Sequence, residues 1–243
     1  MGHVTVVGGC RAKAPLTGIL ASTLPVGSTV KLMEGSTAIE YLVVNQGIPS
    51  NSSLYDASCD GTWLLRKDIH SERQWNSSNV NDYANSTINT WLNGDFFSNF
   101  GSVEQASIKQ VKIPYRAGGG SGGTNQSGAN GLSCKIFLLS GYEVGWTSSD
   151  DQYFPQDGAK LSYFESGTGT SANNKRIANL NGSAANWWLR SPHTNNSDRV
   201  WGVYTDGNYY YSGASYSRGI RPALVLPSNA LFNETTMLLK GVA

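Results

Sequence analysis

The stretch RVWGVYTDGNYYYS, residues 199–212, is the strongest structural signal in the sequence. Asp206 and Gly207 lie between two runs rich in Val, Trp and Tyr, and an Asp-Gly pair in such a setting is typical of a two-stranded hairpin closed by a tight turn. Strand-forming runs flank this hairpin in NWWLR, residues 186–190, and GIRPALVLP, residues 219–227. The C-terminal part of the chain is therefore predicted to form a β-sheet.

The same region has an unusual composition. In residues 193–218, which we call the window, 15 of 26 residues are Tyr, Ser, Gly or Asn, and five of the chain's 12 tyrosines lie there. Antibody binding surfaces share this composition, because Tyr supplies rigid contact area while Ser, Gly and Asn supply adaptable hydrogen bonds. A solvent-facing hairpin has a similar composition. Composition alone leaves both interpretations open.

The N-terminal half predicts strands followed by two helices. GSTVKL, IEYLVVNQG and GTWLLRKDI have the β-branched and aromatic content of strands. Ile88, Trp91 and Leu92 have helical spacing, after the candidate caps Asn81 and Asn85 and before Gly94. A second helix is predicted after Ser102, where SVEQ has the pattern of a capping box.

The middle of the chain predicts a loop and a core strand. RAGGGSGGTNQSGANG, residues 116–131, has the composition of a flexible loop. KIFLLSGYEVGW, which follows it, lacks positive charge after its first residue and predicts a buried strand running into a turn. We expect an α+β fold with residues 1–25 as an N-terminal arm and residues 26–243 as one domain, in which the first and last strands pair.

Charge and reactive residues exclude several function classes. With 18 basic and 17 acidic side chains the net charge is +1, so neither a nucleic acid nor an anionic membrane surface is an expected partner. The three cysteines and three histidines have no metal-ligand spacing, and we expect no metal, cofactor or catalytic residue. We expect His70 to be solvated. No apolar run is long enough to insert into a membrane, and the N-terminus lacks a signal-peptide pattern.

Four motifs together resemble a known family. WWLRSP (residues 187–192), GIRPAL (residues 219–224), STINTWLN (residues 86–93) and KIFLLSGYEVG (residues 135–145) are similar to segments of the variable proteins of diversity-generating retroelements. The similarity covers roughly residues 26–228. It implies a C-type-lectin-like fold, of the branch that includes the formylglycine-generating enzymes, with small antiparallel sheets, two central helices and long loops.

The resemblance also implies a function. In that family a reverse transcriptase rewrites adenines in a variable region, whose side chains then form a ligand-binding surface on a fixed scaffold displayed on a cell or phage surface. Rewritten Asn codons never yield Lys, Glu, Gln, Met or Trp. Within the window Trp201 is the sole residue of these five types. The ligand, a protein or a glycan, is not specified by the sequence.

The window is predicted to contain scaffold and ligand-facing positions. Val200 and Val203 are expected to face inward, and Gly202, Gly207 and Gly213 to occupy turns or close approaches. The positions predicted to face a ligand are polar or aromatic: His193, Asn195, Ser197, Asp198, Arg199, Trp201, Tyr204, Asp206, Tyr209, Tyr211, Ser215 and Ser217. We expect Tyr204, Tyr209 and Tyr211 to be exposed on one face with Asp206 and Trp201.

The motifs that border the window are predicted to be structural. Trp187 and Trp188 are expected in the core, because two tryptophans bury a large apolar area. Arg190 and Arg221 are expected to bond a carboxylate or backbone carbonyls and so to hold the two ends of the window.

Three other functions remain alternatives. A formylglycine-generating type of enzyme needs a cysteine pair near the end of the chain, whereas the last cysteine here is Cys134. A calcium-dependent sugar lectin needs clustered oxygen ligands such as EPN and WND. Neither motif occurs, although Asp198 and Asp206 leave a weaker ion site open. A carbohydrate-binding module without diversification is the nearer alternative.

Overall fold

The computed structural model describes residues 16–50 and 52–243, so His3, Cys10 and residues 1–15 of the predicted arm lie outside the described residues. The described chain is a mixed α+β structure, in which small and mostly antiparallel sheets predominate over short helices. The strands are β1 (Ile19–Leu20), β2 (Thr29–Glu34), β3 (Thr37–Gln46), β4 (Thr62–Arg66), β5 (Ser71–Gln74), β6 (Val111–Ile113), β7 (Tyr115–Ala117), β8 (Thr124–Gln126), β9 (Leu132–Cys134), β10 (Ile136–Phe137), β11 (Asn179–Leu180), β12 (Ser183–Ala184), β13 (Trp187–Pro192), β14 (Arg199–Val203), β15 (Tyr209–Gly213), β16 (Ser217–Ile220), β17 (Ala223–Leu226), β18 (Ala230–Phe232) and β19 (Leu239–Val242).

The helices are short. They are α1 (Thr87–Trp91), α2 (Ser102–Ser107) and α3 (Thr170–Arg176), with a π-helical turn at Leu92–Phe96 and 3₁₀ turns at Ala21–Thr23, Ser52–Leu54, Ala57–Cys59 and Gly128–Asn130. Two central helices are predicted from the sequence and are present as α1 and α2. The sequence analysis does not predict α3.

Two five-stranded sheets organise the described residues. The first sheet has the order β10-β17-β4-β3-β2, and the second has the order β15-β14-β13-β16-β5. Neighbouring strands are antiparallel, except that β13 and β16 pair in parallel through Trp187 and Gly219. Every residue of β4, β13 and β17 is buried. These strands are continuously apolar or aromatic at most positions, as expected for strands covered on both faces.

The two sheets are joined where β16 ends. The chain passes through Arg221 and Pro222 directly into β17 of the first sheet. Nε of Arg221 donates to the carbonyl of Arg66 at 2.9 Å, and the amide of Arg66 donates to the carbonyl of Pro222 at 2.9 Å. Arg221 is buried and its guanidinium lies 5.1 Å from the ring centroid of Trp187. The expected structural role of Arg221 is confirmed.

The first helix begins and continues differently from the prediction. Its N-cap is Ser86, whose Oγ accepts from the amide of Asn89 at 3.2 Å, and neither Asn81 nor Asn85 caps it. The helical path continues through Gly94 as the π-helical turn. The second helix has Gly101 as its N-cap and no capping box. Its Glu104 carboxylate instead accepts from the amide of Met33 at 3.0 Å, which links the helix to β2.

Two segments expected to be loosely organised are built into the domain. The Gly-rich segment contains most of the β7–β8 hairpin and a 3₁₀ turn, so it has more regular structure than its loop composition predicts. Within the predicted arm, β1 pairs with β18 and Ala21 is fully buried. Strand β18 also pairs with β19, so the N-terminal and C-terminal strands share one sheet, close to the predicted pairing.

A buried ion pair connects the second sheet to the chain segments around it. Arg190 on β13 forms a bidentate pair with Glu143, with N–O distances of 2.6 and 2.7 Å, and both side chains are 0% exposed. The same guanidinium donates to the carbonyls of Pro114, Leu138 and Asp157 at 2.7–3.0 Å. All five N–H donors of Arg190 therefore have acceptors, as a buried guanidinium requires.

The carboxylate of Glu143 is also fully engaged. Its Oε1 accepts from the hydroxyl of Tyr55 at 3.0 Å, and its Oε2 accepts from the amide of Ser140 at 3.0 Å. Next to the pair, Ser191 Oγ donates to Asp157 Oδ2 at 2.7 Å and accepts from the amide of Gly141 at 2.8 Å. This group of residues fixes β13, and the window begins directly after this strand.

Removing the carboxylate of this pair will leave a buried guanidinium without its counter-charge. We expect Glu143→Gln to lower the free energy of unfolding by about 3–5 kcal/mol. The control is Glu40→Gln, which breaks the exposed Lys67–Glu40 pair and is expected to have little effect. Urea denaturation of both variants measures the difference, and equal losses would contradict a dominant role for the buried pair.

Asp157 gives the domain a specific pH dependence. Burial raises the pKa of this carboxyl to about 7, although Arg190 and the Ser191 hydrogen bond favour its charged form. Between pH 4 and pH 7 the folded state then binds more protons than the unfolded state, so stability is lost as pH rises through about 7. We expect Asp157→Asn to remove this fall in melting temperature between pH 5 and pH 8. Asp95→Asn makes the same charge change at an exposed position, and its profile should follow that of the native protein.

Candidate functional site

The window forms two complete strands of the second sheet, β14 and the edge strand β15. It also contains the loop of residues 193–198 before them and the first two residues of β16. Strands β14 and β15 form the predicted hairpin, in register from Arg199 opposite Gly213 to Val203 opposite Tyr209. Gly207 adopts a φ of +82° in its turn, which favours glycine. The hairpin prediction is confirmed.

Asn81 holds the loop of residues 193–198 in place. Its amide nitrogen Nδ2 donates to the carbonyls of Asn196 and Arg199 at 2.7 and 2.6 Å. Its backbone amide donates to the carbonyl of Ser197 at 2.8 Å, and the residue is fully buried. Asn81, interpreted from the sequence as a helix cap, thus supports the window instead. Nothing in its local sequence distinguishes the two roles.

The Gly-rich hairpin packs against this support. A Cβ on Gly119 would lie 2.2 Å from Oδ1 of Asn81, and a Cβ on Gly120 would lie 3.0 Å from Cα of Ser197. Both glycines have positive φ angles, of +57° and +46°. Gly119 and Gly120 therefore allow close backbone approach, the first to Asn81 and the second to the loop of the window.

A series of stacked aromatic rings lies under one face of the hairpin. The rings of Tyr153, His193, Trp201, Phe154 and Trp146 follow one another at centroid distances of 4.6, 5.2, 4.1 and 6.0 Å, with interplanar angles of 19–27°. The guanidinium of Arg176 lies 4.2 Å from the Trp146 ring. Nε1 of Trp201 donates to the carbonyl of Tyr153 at 3.2 Å. The segment of residues 150–157 therefore covers this face of β14.

This packing corrects two predicted ligand-facing positions. Trp201 is 0% exposed and His193 is 3% exposed, so neither side chain reaches the surface. Burial lowers the pKa of His193 and favours its neutral form. Its Nδ1 accepts from the amide of Asn195 at 3.2 Å. Both residues belong to the frame under the window and not to its outer surface.

The tyrosines of the hairpin lie on two faces. Tyr209 and Tyr211 pack edge-on against Trp201 at 5.7 and 5.3 Å. Tyr210 stacks on Trp188 at 6.4 Å, and Tyr204 packs edge-on against Tyr210 at 5.7 Å. The prediction that Tyr204 shares a face with Tyr209 and Tyr211 is therefore wrong. The alternation of side chains along a strand accounts for the difference.

Exposure separates the remaining predicted positions into two groups. The exposed residues are Asn195, Ser197, Tyr204, Asp206, Tyr211 and Ser217. The partly exposed residues are Asp198, Arg199, Tyr209 and Ser215. The position of the Tyr209 side chain is also fixed, because its hydroxyl donates to the carbonyl of Asp150 at 3.0 Å. The prediction omitted Thr205 and Tyr216, which are exposed as well. Tyr216 is 56% exposed and lies between two serines, a composition that could have indicated it.

The scaffold residues of the window have the expected burial. Val200 and Val203 are 0% exposed, and a Cβ on Gly202 would lie 2.8 Å from a ring carbon of Tyr210. Trp187 and Trp188 are also 0% exposed. Their indole N–H groups donate to the carbonyls of Arg176 and Arg73, so both tryptophans are core residues as predicted.

Other candidate reactive groups are built into the structure. His70 is half-buried between Trp91 and Phe96, and burial lowers its pKa, so it is not simply solvated as expected. Cys59 and Cys134 are buried and free, and burial raises the pKa of Cys59 to about 11. Residues 16–50 and 52–243 contain no cluster of three His, Cys, Asp or Glu side chains able to hold a metal ion. Within those ranges no helix has the length and apolarity needed to cross a membrane.

Comparison with known proteins identifies the family of the chain. Residues 60–228 match the model of DUF6273, a domain of unknown function. This match covers more than half of the chain, so the chain belongs to the DUF6273 family. Neither the curated proteins nor the solved structures include a match to the chain.

Burial predicts opposite responses to substitution within the hairpin. Trp201→Ala removes a fully buried ring and should lower the free energy of unfolding by about 3–5 kcal/mol. Tyr211 is 50% exposed but packs edge-on against Trp201, and Tyr211→Ser should cost only about 0.5–1.5 kcal/mol. Chemical denaturation of the two variants tests the assignment. Comparable losses would mean that Tyr211 belongs to the core.

Proposed function

We propose that this domain is a ligand-binding module whose window is diversified by a retroelement on a fixed scaffold with a C-type-lectin-like fold. The proposal places no catalytic step on the protein. Its ligand is a protein or a glycan bound by side chains of the window, and its setting is the surface of a cell or phage particle. The resemblance of four sequence motifs introduced this hypothesis, and the arrangement of the window supports it.

The observation that carries the proposal is that the exposed and the buried positions of the window contain different residue types. Its exposed residues are Asn195, Ser197, Tyr204, Thr205, Asp206, Tyr211, Tyr216 and Ser217. Each is of a type that an Asn codon yields when its two adenines are rewritten. Trp201, the one residue of the window that such a codon cannot yield, is completely buried. Its burial is what a fixed scaffold position requires.

Exposed positions elsewhere include residue types absent from the window. Glu40, Lys67, Glu72 and Gln74 are exposed, and a rewritten Asn codon yields none of these three types. A general surface bias of the domain against Lys, Glu and Gln therefore does not account for the composition of the window. Diversification accounts for it directly.

In the window, the exposed side chains are also separate from the buried side chains that support the fold, as diversification requires. Side chains that vary must be replaceable without unfolding the protein, and replacements at exposed positions are usually tolerated. In the window, the exposed residues lie above a buried frame formed by His193, Val200, Trp201, Val203 and Ala214. Tyr204, Tyr211 and Tyr216 offer large amphipathic contact areas, and tyrosine is enriched among residues that dominate binding energy.

Sequencing the DNA beside the gene tests the proposal. It predicts a near-copy of the window-coding segment close to a reverse transcriptase gene, with differences confined to adenines of the copy. The differing codons should be those of the exposed residues, with the codon of Trp201 unchanged. Differences spread over the buried frame, or a neighbourhood without such a copy, would contradict diversification.

A library experiment tests whether the exposed positions tolerate substitution and the buried positions do not. We expect most members to remain folded when the eight exposed positions are randomised with codons whose third base is C or T. The control library randomises Val200, Trp201 and Val203 in the same way and should be mostly unfolded, because these side chains are buried. Retention on a yeast surface after protease treatment measures the folded fraction. Similar losses in both libraries would contradict the separation of surface and frame.

A further inference from the structure

A cleft lies beside β5, the edge strand of the second sheet next to the window. Its volume is about 400 Å³, and its lining includes Arg73 and Gln74 from β5, Ser77, Trp91 from α1, and Ser217 from β16. This volume is in the range of roughly 300–1,000 Å³ typical of sites for small ligands. Because β5 is an edge strand, the cleft opens at the side of the sheet.

Arg73 supplies a positioned positive charge to this cleft. Its guanidinium lies 4.0 Å from the ring centroid of Trp91, a distance typical of a cation–π contact. Its backbone is held by Nε1 of Trp188, which donates to the carbonyl of Arg73 at 3.2 Å. Within the described part of the chain, none of the guanidinium N–H groups of Arg73 has a protein acceptor and no carboxylate pairs with it. Arg73 is exposed, so its guanidinium rests on Trp91 with its donors facing solvent.

A second arginine increases the positive charge at this edge. Arg218 on β16 is the direct cross-strand partner of Arg73. It also has no carboxylate partner among residues 16–50 and 52–243, and its Nη1 donates to the carbonyl of Ser217 at 2.8 Å. Like charges directly opposite each other on neighbouring strands are unfavourable. Arg218 does not line the cleft, so an anion bound there would contact Arg73 and would offset this repulsion from one side.

Most of the other polar side chains of the cleft have no partner in the protein. Thr87 Oγ1 accepts from the backbone amide of Ser77 at 3.2 Å. The side-chain amide of Gln74, the hydroxyls of Ser77 and Ser217, and the indole N–H of Trp91 have no hydrogen-bond partner in the described ranges. No described Asp or Glu lines the cleft. The lining thus combines one guanidinium with several neutral hydrogen-bonding groups, which complements a ligand that carries one carboxylate and several hydroxyls.

We propose that this cleft binds an acidic sugar of the uronic-acid class. The carboxylate lies against Arg73, where charge-assisted hydrogen bonds are strongest, and the sugar hydroxyls bond Gln74, Ser77 and Ser217. This inference goes beyond the proposed function, since Ser217 alone of the residues lining the cleft belongs to the window. Its failure would leave diversification of the window untouched.

The test is a titration of the ¹⁵N-labelled protein with D-glucuronate, D-glucose and acetate, followed by NMR. We expect saturable shifts with glucuronate at the amides of residues 73–77 and 217 and at the indole N–H of Trp91. Glucose and acetate should bind at least about tenfold more weakly, because each lacks one of the two recognised features. Added salt should weaken glucuronate binding.

Two variants identify the charge that matters. Arg73→Gln should weaken glucuronate binding about tenfold or more. Lys135→Gln removes a different cation, whose Nζ lies 4.4 Å from the ring centroid of Phe97, and should leave binding unchanged. Absence of shifts at the cleft would overturn the proposal. Equal affinity for acetate would overturn recognition of the sugar, and equal affinity for glucose, or full binding by Arg73→Gln, would overturn recognition of the carboxylate.

Discussion

The buried guanidinium of Arg190 is the constraint on which the arrangement of this domain depends. A charge with no exposure to water is tolerated only when its hydrogen bonds are complete, and Arg190 completes them with acceptors from four residues, Pro114, Leu138, Glu143 and Asp157. These acceptors come from segments far apart in sequence. Each segment must therefore reach its final position for the guanidinium to be buried, and β13 is fixed relative to all of them.

This constraint explains how the window is supported. One end of the window follows β13, where Arg190 is locked, and the other end precedes Arg221, whose guanidinium bonds the carbonyl of Arg66 in the first sheet. Between these ends, Asn81 binds the loop carbonyls and the stacked rings around Trp201 fill the space below the hairpin. Apart from Tyr211, whose ring packs edge-on against Trp201 and His193, the outer side chains carry none of these contacts. We expect such a surface to change its residues while the frame remains intact, which is the physical requirement of the proposed function.

The sequence predicted the features that depend on local chemistry. The Asp206–Gly207 turn, the buried tryptophans of β13 and the structural roles of Arg190 and Arg221 follow from turn preference, apolar area and charge. It failed where a distant segment decides the outcome. Trp201 is buried because Phe154, in a segment without regular secondary structure, stacks on it at 4.1 Å. Asn81 and Gly119 have turn-like sequences, yet their role is a contact with each other and with the loop of the window. Tyr204, which directly follows β14, packs on Tyr210, whereas Tyr211 of β15 packs on Trp201. The two tyrosines therefore lie on different faces, although composition treats them alike.

Native-state hydrogen exchange tests most directly whether the contacts of Arg190 anchor β13 beneath the window. The amide of Arg190 donates to the carbonyl of Leu139, and the amide of Gly141 donates to Ser191 Oγ, so both lie within the anchored region. The account predicts that these two amides exchange only when the whole domain unfolds, with opening free energies equal to the global free energy of unfolding. Gly207 and Asn208, at the tip of the hairpin, should exchange through smaller local openings. Exchange of Arg190 and Gly141 at the low opening free energy of the hairpin tip would contradict the account.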